Sequence, residues 1–336
     1  MSRVKIGLLG CGTVGRAFVE LAARHPTLRV EKILVRDIRK ERAGVDRRLL
    51  TTSAVDVLDG DCDVIVELIG GVHSAGAFVR RAIANGRHVV TANKALLAQS
   101  GAELFDAAAA RGVALGFEAS VCGAIPIVRV LRDGLAGDEI ESIRGVVNGT
   151  CNFILSRMEE GRSFADALRC AQERGFAEAD PTLDVEGEDA AQKMRILAAL
   201  AFDEPVVKER VAGIRRVTRY AIERARAGGN VIRLVAGAER IAGGVALCIE
   251  PRELDANDIL AGVRDEDNAV IVRGRAAGEI VLTGKGAGGM ATASAVLSDV
   301  LEIARTQFNI IHLIGLCGNR RPAPGATSAT VIFSSQ

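Results

Sequence analysis

The stretch VKIGLLGCGTVG, Val4 to Gly15, limits the possible folds more than any other part of the chain. Val4 to Leu9 is an apolar run of strand character, and RAFVELAARH beyond Gly15 repeats its apolar residues at helical spacing. Between them, Gly10, Gly12 and Gly15 match G-x-G-x-x-G. Each glycine has its own physical reason. The first allows a tight turn, the second lets a pyrophosphate approach the backbone, and the third lets helix and strand pack closely. The first turn of the helix, Thr13 and Val14 included, would then offer unpaired N–H groups to the phosphates. The expected ligand is a dinucleotide.

Further along, strand patterns at Arg29 to Asp37, Asp63 to Gly71, Arg87 to Lys94 and Gly112 to Ser120 alternate with helices near Ser74 to Asn85 and Gly101 to Arg111. Such alternation predicts an N-terminal Rossmann-type, doubly wound parallel sheet in an α/β fold, with right-handed crossovers. Ligands in these sheets bind beyond the carboxyl ends of the strands. The second strand ends in Arg36-Asp37. An acid there suits a ribose 2′-OH and an arginine suits a 2′-phosphate, so the residues leave NAD or NADP open. Thr91 and Lys94, in TANK, fall at the end of a parallel strand, where they would border the nicotinamide end of the cofactor. Lys94 fits a surface lysine opening a helix equally well.

Near Pro126 the pattern changes. A helix in IPIVRVLRDGLAG leads to a strand in EIESIRGVV, then to helices over Cys151 to Glu160, Ser163 to Arg174 and Gly187 to Ala201. Four closely spaced strand-like runs follow, as in a meander. This predicts a second, α+β domain, an open mixed sheet covered by helices. The expected boundaries are 1–130 for the dinucleotide domain and 131–289 for a substrate-binding and dimerisation domain. A final helix within 290–320 could return to the first domain, and 321–336 reads as a loosely held tail.

Composition excludes several functions. With 43 basic and 42 acidic residues, the chain has no net field to attract nucleic acid. No apolar run approaches a membrane span, and the opening residues lack a cleavable apolar leader. Seven scattered cysteines without C-x-x-C suggest reduced thiols in a cytoplasm. Four histidines without an H-x-x-x-H pair speak against a zinc centre.

The segment FAEADPTLDVEGEDAAQK, Phe176 to Lys193, places six carboxylates ahead of one lysine. Asp189 and Lys193 share a helix face at i,i+4. They fit a solvated ion pair, or a pair opening onto a cavity where burial and a carboxylate tune the ammonium for proton exchange. Glu178, in the loop before Asp180-Pro181, could reach the same cavity and suits a substrate ammonium group.

Taken with GLLGCGTVG, FEASVCGAIP, VNGTCNFIL and GKGAGGMATASAVLSD, this segment resembles homoserine dehydrogenase, in order and over about residues 3 to 306. The resemblance implies reversible NAD(P)H-dependent reduction of L-aspartate 4-semialdehyde to L-homoserine, toward threonine, methionine and isoleucine. It implies that Lys193 is the acid/base, that Lys94 lies between cofactor and substrate, and that Glu178 and Asp189 hold the substrate, with Asp184 on the pocket wall. It further implies that Gly175 and Gly286 approach the cofactor. A monovalent cation, Na+ or K+, would sit on the Glu118 carboxylate and the main chain of Val121, Gly123 and Ile125. A homodimer is also implied. Cys122 and Cys151 replace small or hydroxyl residues usual in the family, and Ala291 replaces a proline. The chain ends without the ACT domain of longer relatives, so threonine feedback through such a domain is not expected. Another semialdehyde dehydrogenase, or a non-catalytic NAD(P) sensor of the same fold, are the competing readings; a sensor would not need the lysine–carboxylate group.

Overall fold

A computed structural model describes residues 3–308. Its first half builds six parallel strands: β1 (Val4–Leu9), β2 (Leu28–Leu34), β3 (Leu50–Thr51), β4 (Val64–Glu67), β5 (His88–Thr91) and β6 (Leu115–Gly116). They lie in the order β3-β2-β1-β4-β5-β6, so the chain reverses direction of progress between β1 and β4. The crossovers carry α1 (Thr13–Ala22), α2 (Ala54–Leu58), α3 (His73–Ala84) and α4 (Lys94–Arg111). β4 is buried at every position, because helices cover both faces of a parallel sheet.

The predicted strand over Gly112 to Ser120 is a correction: only Leu115–Gly116 pairs, and a 3-10 turn occupies Glu118–Ser120. The Ser120 hydroxyl donates to the Phe117 carbonyl at 2.6 Å, which closes this turn. The helix after Pro126 is also shorter than its pattern. It comprises α5 (Ile127–Arg129) and a π-turn over Val130–Gly134.

The second half contains β7 (Ile140–Val146), α6 (Gly149–Glu159), α7 (Phe164–Glu173), α8 (Thr182–Val185), α9 (Glu188–Ala201), β8 (Val206–Val211) and α10 (Arg219–Ala227). Two hairpins follow, β9 (Asn230–Ile241) with β10 (Gly244–Asp255), and β11 (Asp267–Gly274) with β12 (Gly278–Lys285). The sheet order is β12-β11-β7-β9-β10-β8, not a meander, because β7 enters between the two hairpins. All pairs are antiparallel except β8 on β10. The sequence pattern missed β8; its VVKERV run is exposed along nearly its whole length, as suits a charged edge strand.

One face of this sheet packs into the largest apolar core, where Ile143, Leu234, Leu247 and Val270 meet Phe153, Ile154, Met194 and Leu197 of α6 and α9. The last helix, α11 (Gly289–Phe308), packs on the first half, where Ala293, Val296 and Val300 share a core with Ala17 and Phe18. Its Asp299 accepts the Glu118 N–H at 2.9 Å and fills the space beside Gly116. The tail expected at 321–336 lies outside the described residues. Because α11 returns and α4 contacts α9, a cleft forms where the two sheets' helices meet.

Candidate active site

A cleft of about 560 Å³ opens at that junction. Lys94, Asp184, Asp189, Lys193 and Glu178 all line it, together with Gly175 and Gly286. Five segments supply these groups, so the cleft exists only in the folded chain.

Asp189 is its electrostatic centre. One carboxylate oxygen meets the Lys193 ammonium at 2.8 Å and the other meets Lys94 at 3.1 Å. The Asn148 amide donates to Asp189 at 2.8 Å and to Asp184 at 2.7 Å. Burial alone would push the Asp189 carboxyl up, but Lys193 and Lys94 outweigh it and hold the group well below the usual carboxylate range. Lys193 shows the complementary balance. Desolvation favours its neutral form, yet Asp189 and the surrounding groups raise its pKa. A second bond, from its ammonium to the Val147 carbonyl at 2.6 Å, fixes the side chain. Asp184 differs from Asp189: burial raises it, and the Asn148 bond only partly offsets this.

Local sequence explains the placement. Glu188 and Asp189 open α9 at the end where a helix favours negative charge, so Lys193 falls one turn inside, on the same face. Lys94 opens α4, capped by the Asn93 side chain, which accepts the Leu96 N–H at 3.1 Å. Glu178 is exposed at the rim, and the Gln172 amide donates to its backbone carbonyl at 3.1 Å. Asp189, expected to hold the substrate, has both lysines and Asn148 on its two oxygens.

On the cofactor side, Gly10 has φ +100° and Gly12 precedes α1 as its cap. A Cβ at Gly15 would lie 2.4 Å from the Gly10 carbonyl oxygen, whereas one at Gly12 would meet nothing within 4 Å. Gly10 and Gly15 are thus in packing contact, and Gly12 is an open approach. Thr13 and Val14 form the first turn of α1, and Gly289 packs against Thr13. Arg36 is exposed just past β2. Its neighbour Asp37 accepts the Arg39 N–H at 2.8 Å and is held below the usual carboxylate range by that bond.

Thr91 does not turn its hydroxyl toward the cleft: the group is buried, donating to Glu67 at 2.7 Å and accepting the Asn93 N–H at 3.0 Å. Arg42, which nothing in the sequence singles out, donates to the Cys11 carbonyl at 3.3 Å and so joins the loop after β2 to the glycine turn. No local signal marks it, because the contact spans 31 positions.

The segment expected to hold a cation has an all-oxygen donor set. Glu118 is buried and accepts the Val128 and Arg129 N–H groups, each at 2.9 Å. Burial pushes its carboxyl up against those bonds. Left-handed Cys122 and Gly123 turn the chain between Val121 and Ile125, and the Ile125 carbonyl accepts the Ile127 N–H at 2.8 Å. Oxygen donors of this kind are those a hard cation prefers. Among the described residues, no group of three or more His, Cys, Asp or Glu is placed to hold a metal.

Comparison with known proteins gives concordant matches. A family profile described as homoserine dehydrogenase matches residues 126–301, and one described as its NAD binding domain matches 10–118. Homoserine dehydrogenase of Bacillus subtilis is 40% identical over 96% of this chain and 77% of its own. A solved homoserine dehydrogenase from Thiobacillus denitrificans superposes with a TM-score of 0.87 at 42% identity, covering 93% of this chain and 75% of that one. A hyperthermophilic archaeal homoserine dehydrogenase in complex with NADPH has a TM-score of 0.78 at 28% identity, over 92% and 99%.

Proposed function

The chain belongs to the homoserine dehydrogenase family, and we propose that the charged groups of its junction cleft carry the reaction of that family. It is an NAD(P)-dependent oxidoreductase that interconverts L-homoserine and L-aspartate 4-semialdehyde. When bound, the nicotinamide cofactor supplies or accepts the hydride. The chain must align the carbon, stabilise charge on its oxygen and move one proton.

Lys193 is the group suited to the proton. Of its three N–H bonds, Asp189 and Val147 take two, and the third is the one we assign to the substrate oxygen. As an aldehyde is reduced, negative charge develops on that oxygen; an ammonium in hydrogen-bond reach stabilises it and then protonates it. In the reverse direction the amine removes the hydroxyl proton. Lys94 adds a second positive charge on the cofactor side, and Asp189 holds both ammoniums at fixed spacing. Glu178, exposed at the rim, suits the substrate ammonium, with Asp184 on the inner wall.

The same reading extends to partners. Arg36, with Asp37 engaged by Arg39, favours a 2′-phosphate, so NADP is the proposed cofactor with NAD as the weaker one. Glu118 with the carbonyls of Val121, Gly123 and Ile125 would hold Na+ or K+ in a structural role. The second sheet carries half-buried Ser142, Gly237, Ala246 and Cys248 on the face away from its helices, which suits packing against a second copy in a homodimer. A cytoplasmic place in threonine, methionine and isoleucine formation accords with the buried free thiols Cys11, Cys62, Cys122 and Cys151. No helix of the described residues is long and apolar enough to cross a membrane.

The observation that carries this proposal is the half-buried Lys193 on the cleft wall, clamped by Asp189 and Val147. Its test is homoserine-dependent NAD(P)+ reduction by the native protein and by Lys193→Ala. We expect kcat to fall by about 10³ with cofactor affinity retained. Undiminished turnover in the variant would remove Lys193 from the chemistry.

A further inference from the structure

Two adjacent residues, Val147 and Asn148, bind three of the cleft's charged groups. The Val147 carbonyl takes the Lys193 ammonium, and the Asn148 side chain takes both Asp184 and Asp189. Asn148 is also the cap of α6: its Oδ1 accepts the Cys151 N–H at 2.7 Å. This last bond fixes the amide's direction. Turned over, the NH2 group would face the Cys151 N–H, and the amide oxygen would face two carboxylates. The cap therefore aims both amide protons at the acids, one each.

We propose that Asn148 is a positioning residue for the reaction, holding the like-charged Asp184 and Asp189 side by side so that Asp189 keeps Lys193 in place. The proposal rests on the reading of Lys193 as acid/base. Without the amide, two carboxylates within reach of one nitrogen would repel, and one would rotate away or bind a proton. The other groups facing this pair are Lys94 from α4, Lys193 from α9, the Cys122 and Cys151 thiols, and Glu178 at the rim. A thiol is neutral and a thiolate negative, so neither cysteine can supply the missing positive partner. The two lysines are already committed to Asp189, which leaves Asp184 dependent on Asn148.

Two substitutions separate positioning from helix capping. Asn148→Ser keeps an acceptor for the Cys151 N–H and replaces the two amide donors by one shorter hydroxyl, which cannot serve both acids. Its kcat is expected to fall about tenfold, and the acid limb of its kcat/KM profile should move up by about one pH unit. The KM for NADP should be unchanged. Asn148→Asp keeps size and cap but brings a third acid to the pair. Once that acid ionises it repels both neighbours, so kcat/KM should fall with rising pH across a range where the native enzyme gains activity. A purely structural role predicts lower thermal stability with native pH profiles in both variants, and that result overturns the proposal. If Asn148→Ser fails to fold, the profile of Asn148→Asp decides alone. Should Lys193→Ala retain turnover, the acid/base reading fails; should only the Asn148 profiles be native, that reading stands and the positioning role falls.

Discussion

The glycine turn at the start of α1 and the acidic segment opening α9 carry the two halves of the proposed site, yet they are built by opposite means. The turn works through backbone and empty space: Gly10 bends, Gly12 leaves room, and Gly15 permits contact with the Gly10 carbonyl. All of this lies within one β–α unit. The α9 side works through side chains whose partners come from α4, the cap of α6 and α8. A backbone site is specified by neighbours in sequence. A charged side-chain site is specified by tertiary neighbours, and it remains balanced only while each partner is present.

The sharpest way to break the second kind is Asp189→Asn. Removing one partner of a buried ion pair costs about 3–5 kcal/mol, and here two ammoniums lose the same partner. We expect kcat to drop by about 10² or more, with a clear loss of stability in denaturant titrations at pH 7. The pH dependence follows from the shifts. The depressed Asp189 stabilises the native fold above the ordinary carboxylate pKa, and that stabilisation is lost as pH falls through its depressed value. The raised Lys193 contributes fully below its unfolded pKa and is lost as pH rises through its folded one. In the variant, burial of Lys193 is no longer offset by Asp189, so its folded pKa drops and its charged form destabilises. The deficit against the native protein should therefore shrink as pH rises from 7 toward 10. A deficit that stayed constant would show that Lys193 is not charge-coupled to Asp189.

The glycine turn responds differently at two nearby positions. Gly15→Ala puts a methyl 2.4 Å from a carbonyl oxygen that cannot give way, so α1 must shift from β1. About 1–3 kcal/mol of stability should be lost, along with cofactor affinity. Gly12→Ala meets no atom, so stability should stay within about 0.5 kcal/mol of native while the KM for the cofactor rises. Thermal melts beside cofactor titrations would check the pair. Equal destabilisation of both variants would mean that the turn is held by something other than local packing.

The same contrast governs what is legible in the sequence. The first sheet's core strands and the glycine turn can be read there because period and punctuation are local. The lysine and acids of α9 are visible as residues, but their division of labour is not. The sequence shows Asp189 on one helix face with Lys193, but only the folded chain brings Lys94 and Asn148 to it as well. One local signal bears on two helix starts. Asn93 and Asn148 both precede helices, and asparagine at that position is a strong cap. Taken as a cap, Asn93 starts α4 at Lys94, where the apolar pattern alone starts it near Gly101. Arg42, Thr91 and edge strand β8 have no such marker. Their environments come from contacts dozens of positions away or, for β8, from charged residues that a strand pattern discounts.

The smallest expected effect concerns the part of the cofactor site that depends on a side chain. Arg36 is exposed beyond β2, and Asp37 is turned toward Arg39, so the position carries a positive charge where the 2′ group of the adenosine ribose would lie. An exposed arginine adds little to stability, and Arg36→Ala should leave unfolding unchanged. It should raise the KM for NADP about tenfold, a modest value because the bond is solvent-screened, and leave the KM for NAD nearly as it was. Salt provides an internal control. Raising ionic strength should weaken NADP binding in the native enzyme and have much less effect in the variant, since the screened charge is gone. If NAD and NADP respond alike to the substitution, the 2′-phosphate contact lies elsewhere along the loop. Arg39, Lys40, Arg42, Arg47 and Arg48 are the remaining cations between β2 and β3, and Arg42 is the one already joined to the glycine turn.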